Sequence, residues 1–382
     1  MKRSDNRIIT SHAGSLPRPP ELLALNNARL RAEPIDEARR RQLVREGVHD
    51  VVRKQIETGI DSLNDGEFGK AFFLDYAGRL SGFESRVRAN APVTQRRNFL
   101  EFADFYNELY PGRGGVGTEP NCIGPIAYAG QDAIATDIAN FKAALEGLDV
   151  DGVDYVEAFL PAIAPGTFGR GQNRYYKTEE EFLFAVGDAM REEYKAVIDA
   201  GFVLQIDDPG LPDTWDTIIP EPTVAEYRKF AQVRIEALNH GLRGLPEDRI
   251  RYHICWGSWH GPHTNDIPLE DIVDLVLMVN AGCYSLEAAN ARHEHEWRVW
   301  RDTRLPDGKL LMPGVVSHAT NVVEHPRLVA DRIIRYAEIV GRENVIAGTD
   351  CGMGGRIHPS LCWAKFKALS EGAALATREL WP

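Results

Sequence analysis

Short apolar runs recur along the whole chain, and nearly every one ends in polar or glycine residues. Nine such runs stand out, at 8–17, 60–69, 122–128, 155–161, 202–211, 252–257, 283–290, 310–318 and 345–351. Helical periodicity fills most of the gaps. Residues 36–58 place Leu43, Val44, Gly47, Val48, Val51, Val52 and Ile56 three or four apart, and Gly59 closes the helix. Thr178, with Glu181 at the capping-box position, opens a helix over 179–199. Further helices are expected at 132–148, 224–238, 269–279, 328–340 and 361–374. Strand and helix in strict alternation predict a parallel α/β fold. Polar residues at the carboxyl ends of the strands point to a (β/α)8 TIM barrel, which builds its active site from those ends. A doubly wound sheet is the alternative, but it would not bring six or more strand ends to one point. Nine runs are one more than a barrel needs, so one of them must be peripheral.

The 382 residues fit a single barrel domain over 1–382. Residues 83–120 are loop-like and read as an insertion or lid. Lys and Arg number 44 against 56 Asp and Glu, a net charge of 44 − 56 = −12, which argues against nucleic acid as a partner. No apolar stretch is long enough for a membrane span, and none follows the amino terminus as a signal peptide would, so a cytoplasmic protein is expected. Five cysteines in so long a chain make no disulfide framework. Cys122, Cys283 and Cys362 sit beside apolar residues and read as buried, inert thiols.

The chemistry concentrates around Tyr252-His253-Ile254-Cys255-Trp256-Gly257. On a strand, residues two apart share a face, so His253 and Cys255 point together. Imidazole nitrogen beside thiolate sulfur suits Zn2+. Two other strand ends could complete a tetrahedral set: Glu287, after Ser285-Leu286, and Cys351, in Gly348-Thr349-Asp350-Cys351-Gly352. Structural zinc sites favour cysteine-dense, locally spaced ligands, whereas these are spread from 253 to 351, which favours a catalytic centre.

Other residues carry two readings each. His12 is either a loop histidine or a residue at the mouth of a pocket. Asp65 and Glu67 are surface acids or a cation-binding pair. Asp207, in Gln205-Ile206-Asp207-Asp208-Pro209, reads as functional, because buried strand ends rarely carry paired acids without a partner. His260 and His263 read as loop histidines that could touch substrate. The run Arg292-His293-Glu294-His295-Glu296-Trp297 reads as the solvated face of a charged helix rather than a second metal site. Arg39, Arg40, Arg41, Arg45 and Lys54 likewise read as a solvated face. The glycine-rich loop 164–171 lacks the lysine and spacing of a phosphate-binding loop.

Taken jointly, Ser11-His12-Ala13-Gly14-Ser15, Asp65-Gly66-Glu67, Gln205-Ile206-Asp207-Asp208-Pro209, His253-Ile254-Cys255, Leu286-Glu287-Ala288 and Asp350-Cys351-Gly352 resemble the catalytic domain of the cobalamin-independent methionine synthase family. They run in family order over nearly the entire chain. The resemblance implies a methionine synthase/uroporphyrinogen decarboxylase-like barrel with zinc held by His253, Cys255, Glu287 and Cys351. It implies that a substrate thiol binds the zinc, that Glu67 and Asp207 hold the amino group of homocysteine, and that Ser15 lies near its carboxylate. The chain departs from the family in two ways. The larger enzymes have two barrels, and only the catalytic one is matched. Their proton-donating histidine aligns nearer Ala319, leaving His318 one residue early as the general acid.

The expected activity is zinc-dependent methyl transfer from a methylated folate, or a related donor, to homocysteine. Zinc deprotonates a thiol, and the thiolate is the nucleophile. One alternative is alkylation of coenzyme M by an epoxide, as in short relatives of similar zinc ligation. That thiol ends in a sulfonate, which would want Arg170, Arg356 or the loop histidines rather than acids. The other alternative is a zinc-stabilised binding protein without turnover. Uroporphyrinogen decarboxylases need no zinc, so the metal set argues against that activity. The oligomeric state is left open.

Overall fold

The computed structural model describes residues 1–31, 33–71, 76–88, 96–109, 117–150, 155–168, 172–257 and 259–382. Eight parallel strands form the expected barrel: β1 (Ile9–Thr10), β2 (Ser62–Leu63), β3 (Glu157–Ile163), β4 (Val203–Asp207), β5 (Ile250–His253), β6 (Cys283–Leu286), β7 (Leu310–Val316) and β8 (Ile346–Thr349). They pair in chain order from β2 round to β8, and β8 pairs with β1. Between β1 and β2 the wall is held by the Asp61 N–H, which donates to the Thr10 carbonyl at 3.3 Å, and by the Asp61 carboxylate, which accepts from Thr10 N at 2.8 Å.

The supernumerary run is 122–128. Its first residue ends the strand Gly117–Cys122, which pairs antiparallel with Phe83–Arg88 and parallel with Gln172–Asn173 outside the barrel. The short helices Arg97–Glu101 and Ala103–Leu109 follow in the 83–120 segment. Its loop stretches 89–95 and 110–116, and Arg170, lie outside the described residues.

Helices wrap the barrel with the faces that periodicity marked. In Glu37–Glu57, Leu43, Val44, Val48, Val51 and Val52 are buried. Burying each such side chain stabilises by about 1.5–3 kcal/mol. Arg40 departs from the solvated-face reading: it is buried, with Nε donating to Asn26 Oδ1 at 2.9 Å and Nη2 to the Gly69 carbonyl at 2.9 Å. The Thr178 side chain accepts from Glu181 N as expected, while the Glu181 carboxylate accepts from Lys177 N. The run 269–279 is shorter than expected as an α-helix, which covers Val273–Leu277 after a 3-10 turn at Leu269–Asp271. The last helix is longer, Pro359–Leu380. Two helices extend the expected set at their amino ends through prolines at the first turn, Pro326–Val340 and Pro359–Leu380. Among the described residues no helix is long and apolar enough to cross a membrane.

Candidate metal and substrate site

Strand register places the site. Asp207 of β4 is level with His253 of β5, and His253 is level with Ser285 of β6. Side chains alternate along each strand, so the residues two further on, Cys255 and Glu287, leave the barrel on the same side. His253, Cys255 and Cys351 offer ligand atoms within 4.8 Å of one another. Glu287 is buried beside them but does not join the three in a set mutually within that distance. Its Oε1 accepts from Trp256 N at 2.9 Å and its Oε2 from Asn290 Nδ2 at 2.6 Å.

Asp350 fixes this corner. Its Oδ1 accepts from Ala288 N and Ala289 N at 2.7 and 2.8 Å, which ties β8 to the turn carrying Glu287. The fit requires Gly314 on β7, where a Cβ would lie 2.3 Å from Asp350 Oδ1. The ladder between β7 and β8 shifts register at that point.

His253 donates or accepts at Nδ1 with Ser285 Oγ, 3.0 Å away, while Nε2 is buried with no hydrogen-bond partner. An unsatisfied ring nitrogen beside two sulfurs is costly without a ligand and matches zinc's preference for nitrogen and sulfur. The residues therefore fit the metal. A hydrogen bond from Cys255, with the His253 ring beside it and against burial, holds the Cys351 thiol well below its usual range. The same bond to Cys351, with burial, pushes Cys255 up.

These groups form one wall of a cavity of about 250 Å3, whose lining includes Ser15, Glu67, Asp207, Arg96 and Arg356. Glu67 is held by a turn in which Asp65 Oδ1 accepts from Glu67 N and Asn64 Oδ1 from Gly66 N, both at 2.9 Å. Its φ of 60° is uncommon for a non-glycine residue. Gly14, at φ 124°, packs against it so closely that a Cβ would sit 2.6 Å from Glu67 Oε1. Asp207 Oδ1 accepts from Gln205 Nε2 at 2.7 Å, and Gln205 Oε1 accepts from Arg251 Nε at 2.7 Å. Asp208 points the other way, accepting from Thr167 Oγ1 and Tyr252 OH. The two adjacent aspartates thus separate, one to the cavity and one to the shell, because strand side chains alternate.

Neither Glu67 nor Asp207 forms an ion pair among the described residues. Two neighbouring cations are committed to backbone carbonyls: Lys70 Nζ donates to Pro161 O at 2.5 Å, and Arg18 Nη2 to Glu67 O at 2.7 Å. Burial, opposed by His253 and reinforced by Glu67, pushes Asp207 up to about 7. Burial also raises Glu67 against the pull of Lys70 and Arg18. Two raised carboxyls facing one cavity make a receptor for a cation.

Arg356 is half-buried in the same cavity, and its side chain has no hydrogen bond or ion pair among the described residues. Arg96 lies over Trp259, 4.3 Å from the ring centre, and donates to Asp213. His318 is buried near Arg356 and Cys351 with Nδ1 unpartnered; burial lowers its pKa. His260 Nε2 lies 3.4 Å from the His318 carbonyl. His12 lies in the loop after β1, buried between Phe159 and Phe366 rather than at the pocket mouth, with Nε2 2.8 Å from Gln55 Oε1, and burial pushes it down to about 3. Cys122, Cys283 and Cys362 are buried away from this cluster.

The sequence reading missed Gln205 and Arg251. Their signal was the two-residue offset from Asp207 and His253, which puts them one layer deeper on the same face. It also misread the run 292–297. His293 and Glu296 are buried, and the run forms the 3-10 turn Glu294–Arg298, capped by His293, rather than a solvated α-helix.

No family model matches the chain. A methionine synthase of Thermococcus kodakarensis is 23% identical over 378 residues, covering 97% of this chain and 94% of that protein. A 2-hydroxypropyl-CoM lyase of Xanthobacter autotrophicus is 25% identical over 232 residues, 54% of this chain and 57% of the other. A B12-independent methionine synthase from Shewanella, solved in complex with selenomethionine, shares the fold with a TM-score of 0.70 at 20% identity, covering 98% of this chain and 99% of that one. The resemblance carried by the motifs thus extends along nearly the whole chain, and the barrel is the one it implied.

Proposed function

We propose that the protein is a zinc-dependent thiol alkyltransferase that methylates homocysteine from 5-methyltetrahydrofolate or a related donor. The observation that carries this reading is the pairing of two unsatisfied features in one cavity. His253 Nε2 is orphaned beside Cys255 and Cys351, and Glu67 and Asp207 border the same space with no ion pair among the described residues. Similarity to methionine synthases over most of the chain supports it.

His253, Cys255 and Cys351 would hold zinc, with Glu287 as the fourth ligand. Bound there, zinc would keep a substrate sulfur as thiolate at neutral pH. Glu67 and Asp207 receive the ammonium of homocysteine, whose positive charge favours their ionised forms. Ser15 and the unpartnered Arg356 receive its carboxylate. The ammonium and carboxylate contacts hold the sulfur in place for attack. In the transfer a sulfur–carbon bond forms, the bond from methyl carbon to the donor nitrogen breaks, and that nitrogen takes a proton. His318 is the proposed proton donor, reached through its unpartnered Nδ1 or a bridging water. The described parts of the 83–120 segment, with Arg96 over Trp259, serve as the lid that excludes water.

Arg356 also favours a second reading, since a free cation suits the sulfonate of coenzyme M. The test is turnover by the zinc-loaded protein in two assays: homocysteine with methyltetrahydrofolate carrying one glutamate, and coenzyme M with an epoxide. Methionine is the expected product. Thioether formed only from coenzyme M would replace the first reading with the second. No turnover, with four protein ligands on zinc that added thiols leave unchanged, would favour a non-catalytic zinc protein.

A further inference from the structure

A second cluster of titratable groups lies directly behind the candidate metal group, on the far side of Trp256. His293 Nδ1 is 2.9 Å from Glu296 Oε2, and Nε2 is 3.1 Å from Asp266 Oδ2. Both partners are carboxylates, which only accept, so both ring nitrogens must donate and the ring is an imidazolium. Burial opposes that charge, yet the bonds to Asp266 and Glu296 push His293 up to about 10. The ring stacks on the Trp256 indole with centres 4.0 Å apart and planes 25° from parallel. An imidazolium over an indole face adds cation–π attraction to the stacking.

Everything around Trp256 leads to the proposed ligands. Its indole Nε1 donates to Ile267 O at 2.7 Å, and its backbone N–H donates to Glu287 Oε1. It follows Cys255 in the chain. The His293 backbone N–H donates to Asn290 Oδ1 at 3.0 Å, and the Asn290 amide donates to Glu287 Oε2. His293 is thus tied to Glu287 along two routes, one through its ring and Trp256, the other through its backbone and Asn290. Asp266 also carries the connection to the cavity rim: it accepts from His263 Nδ1 at 2.9 Å, and His263 stacks on Trp259 with centres 4.1 Å apart. A buried ionic cluster of this kind contributes little net stability over an apolar packing of the same volume, which leaves conformational definition as its use.

We propose that His293 is a positioning residue for the metal centre, fixing Trp256 and thereby the directions of Cys255 and Glu287. The inference rests on the reading of His253, Cys255 and Cys351 as metal ligands. Partners one shell beyond the ligands typically change metal affinity by about 10–100-fold when removed. The loss should appear without any change in the ligands themselves.

The experiment uses cobalt(II) alone as probe, because its visible bands report coordination geometry and its near-ultraviolet bands report bound thiolate. Affinity is read by competition with a chelator on the full chain. Wild type, His293→Phe, Asp266→Asn and Arg79→Met are compared. His293→Phe keeps a flat ring against Trp256 but loses both anchors. Asp266→Asn removes one anchoring charge with almost no change of shape, and serves if His293→Phe does not fold. Arg79→Met is a control for general destabilisation, since it disturbs a buried ion cluster remote from Trp256. The expected result is a roughly 10–100-fold loss of cobalt affinity, with altered visible bands, in the His293 and Asp266 variants, and wild-type cobalt binding in folded Arg79→Met. Unaltered affinity and spectrum in both network variants would overturn the positioning role while the metal reading stands. An equal loss in Arg79→Met would also overturn it, by reducing the effect to stability. Wild-type protein that shows no thiolate band with cobalt would remove the metal reading and this inference together.

Discussion

Two buried polar regions of this molecule behave in opposite ways. In the cluster of Arg79, Asp137, Glu193 and Tyr128, every charge has a partner: Arg79 reaches Asp137 at 2.5 Å and Glu193 at 3.0 Å, and Tyr128 OH donates to Glu193 at 2.5 Å. In the cavity at the strand ends, His253 Nε2 has no hydrogen-bond partner and Glu67 and Asp207 form no ion pair among the described residues. The first is internally complete and needs no ligand. The second, on the proposed function, would be completed by a metal ion and the ammonium of a substrate. Burial alone therefore does not distinguish a structural polar group from a functional one; saturation does.

Substitutions can break or sharpen that contrast. The largest effect is expected from Cys255→Ser, which should abolish both turnover and retention of zinc after dialysis, read by metal analysis and product formation. A variant that keeps its zinc would take Cys255 out of the site. Next comes Arg79→Met in the saturated cluster. Leaving Asp137 and Glu193 buried without their cation should cost about 3–5 kcal/mol in denaturant unfolding, with ligand binding intact. A loss below about 1 kcal/mol would mean that the cluster was not saturated in the sense argued above.

Asp207→Asn should act in the reverse sense. Homocysteine binding should weaken by about 1.5–3 kcal/mol, the worth of a hydrogen bond to a charged group, while zinc content and unfolding midpoint hold. Unchanged affinity by calorimetry would remove Asp207 from ammonium binding. A further effect concerns pH. His293 is raised in the folded chain, so its contribution is complete below the unfolded value of about 6.5 and is lost as pH rises through about 10. The wild-type melting temperature should fall over that window more steeply than that of His293→Phe. Parallel profiles would mean that His293 is not held as a cation.

The sequence reached much of this through periodicity. Alternating strands and helices fixed the barrel class, and the polar strand ends marked the face that carries the site. What periodicity could not supply was the length of each strand. The runs at 8–17 and 60–69 contribute only Ile9–Thr10 and Ser62–Leu63 to the ladder, because Gly14, Asn64 and Gly66 turn the chain immediately afterwards. The fate of 122–128 was equally hidden, since an apolar run pairs as well outside a barrel as within it.

The charged run 292–297 shows the same boundary more sharply. Five polar residues in sequence look solvated, and only the approach of Trp256 and Asp266 from other segments buries His293 and adds, to the local acceptor Glu296, one for its second ring nitrogen. By itself the sequence determined parity: His253 with Cys255, and Gln205 with Asp207 but against Asp208, because a strand repeats every two residues. Tertiary structure alone decided which of those side chains are satisfied. Apart from local pairs such as Gln205 with Asp207, the partners of strand-end groups come from a different strand or loop, at a distance that no local pattern encodes.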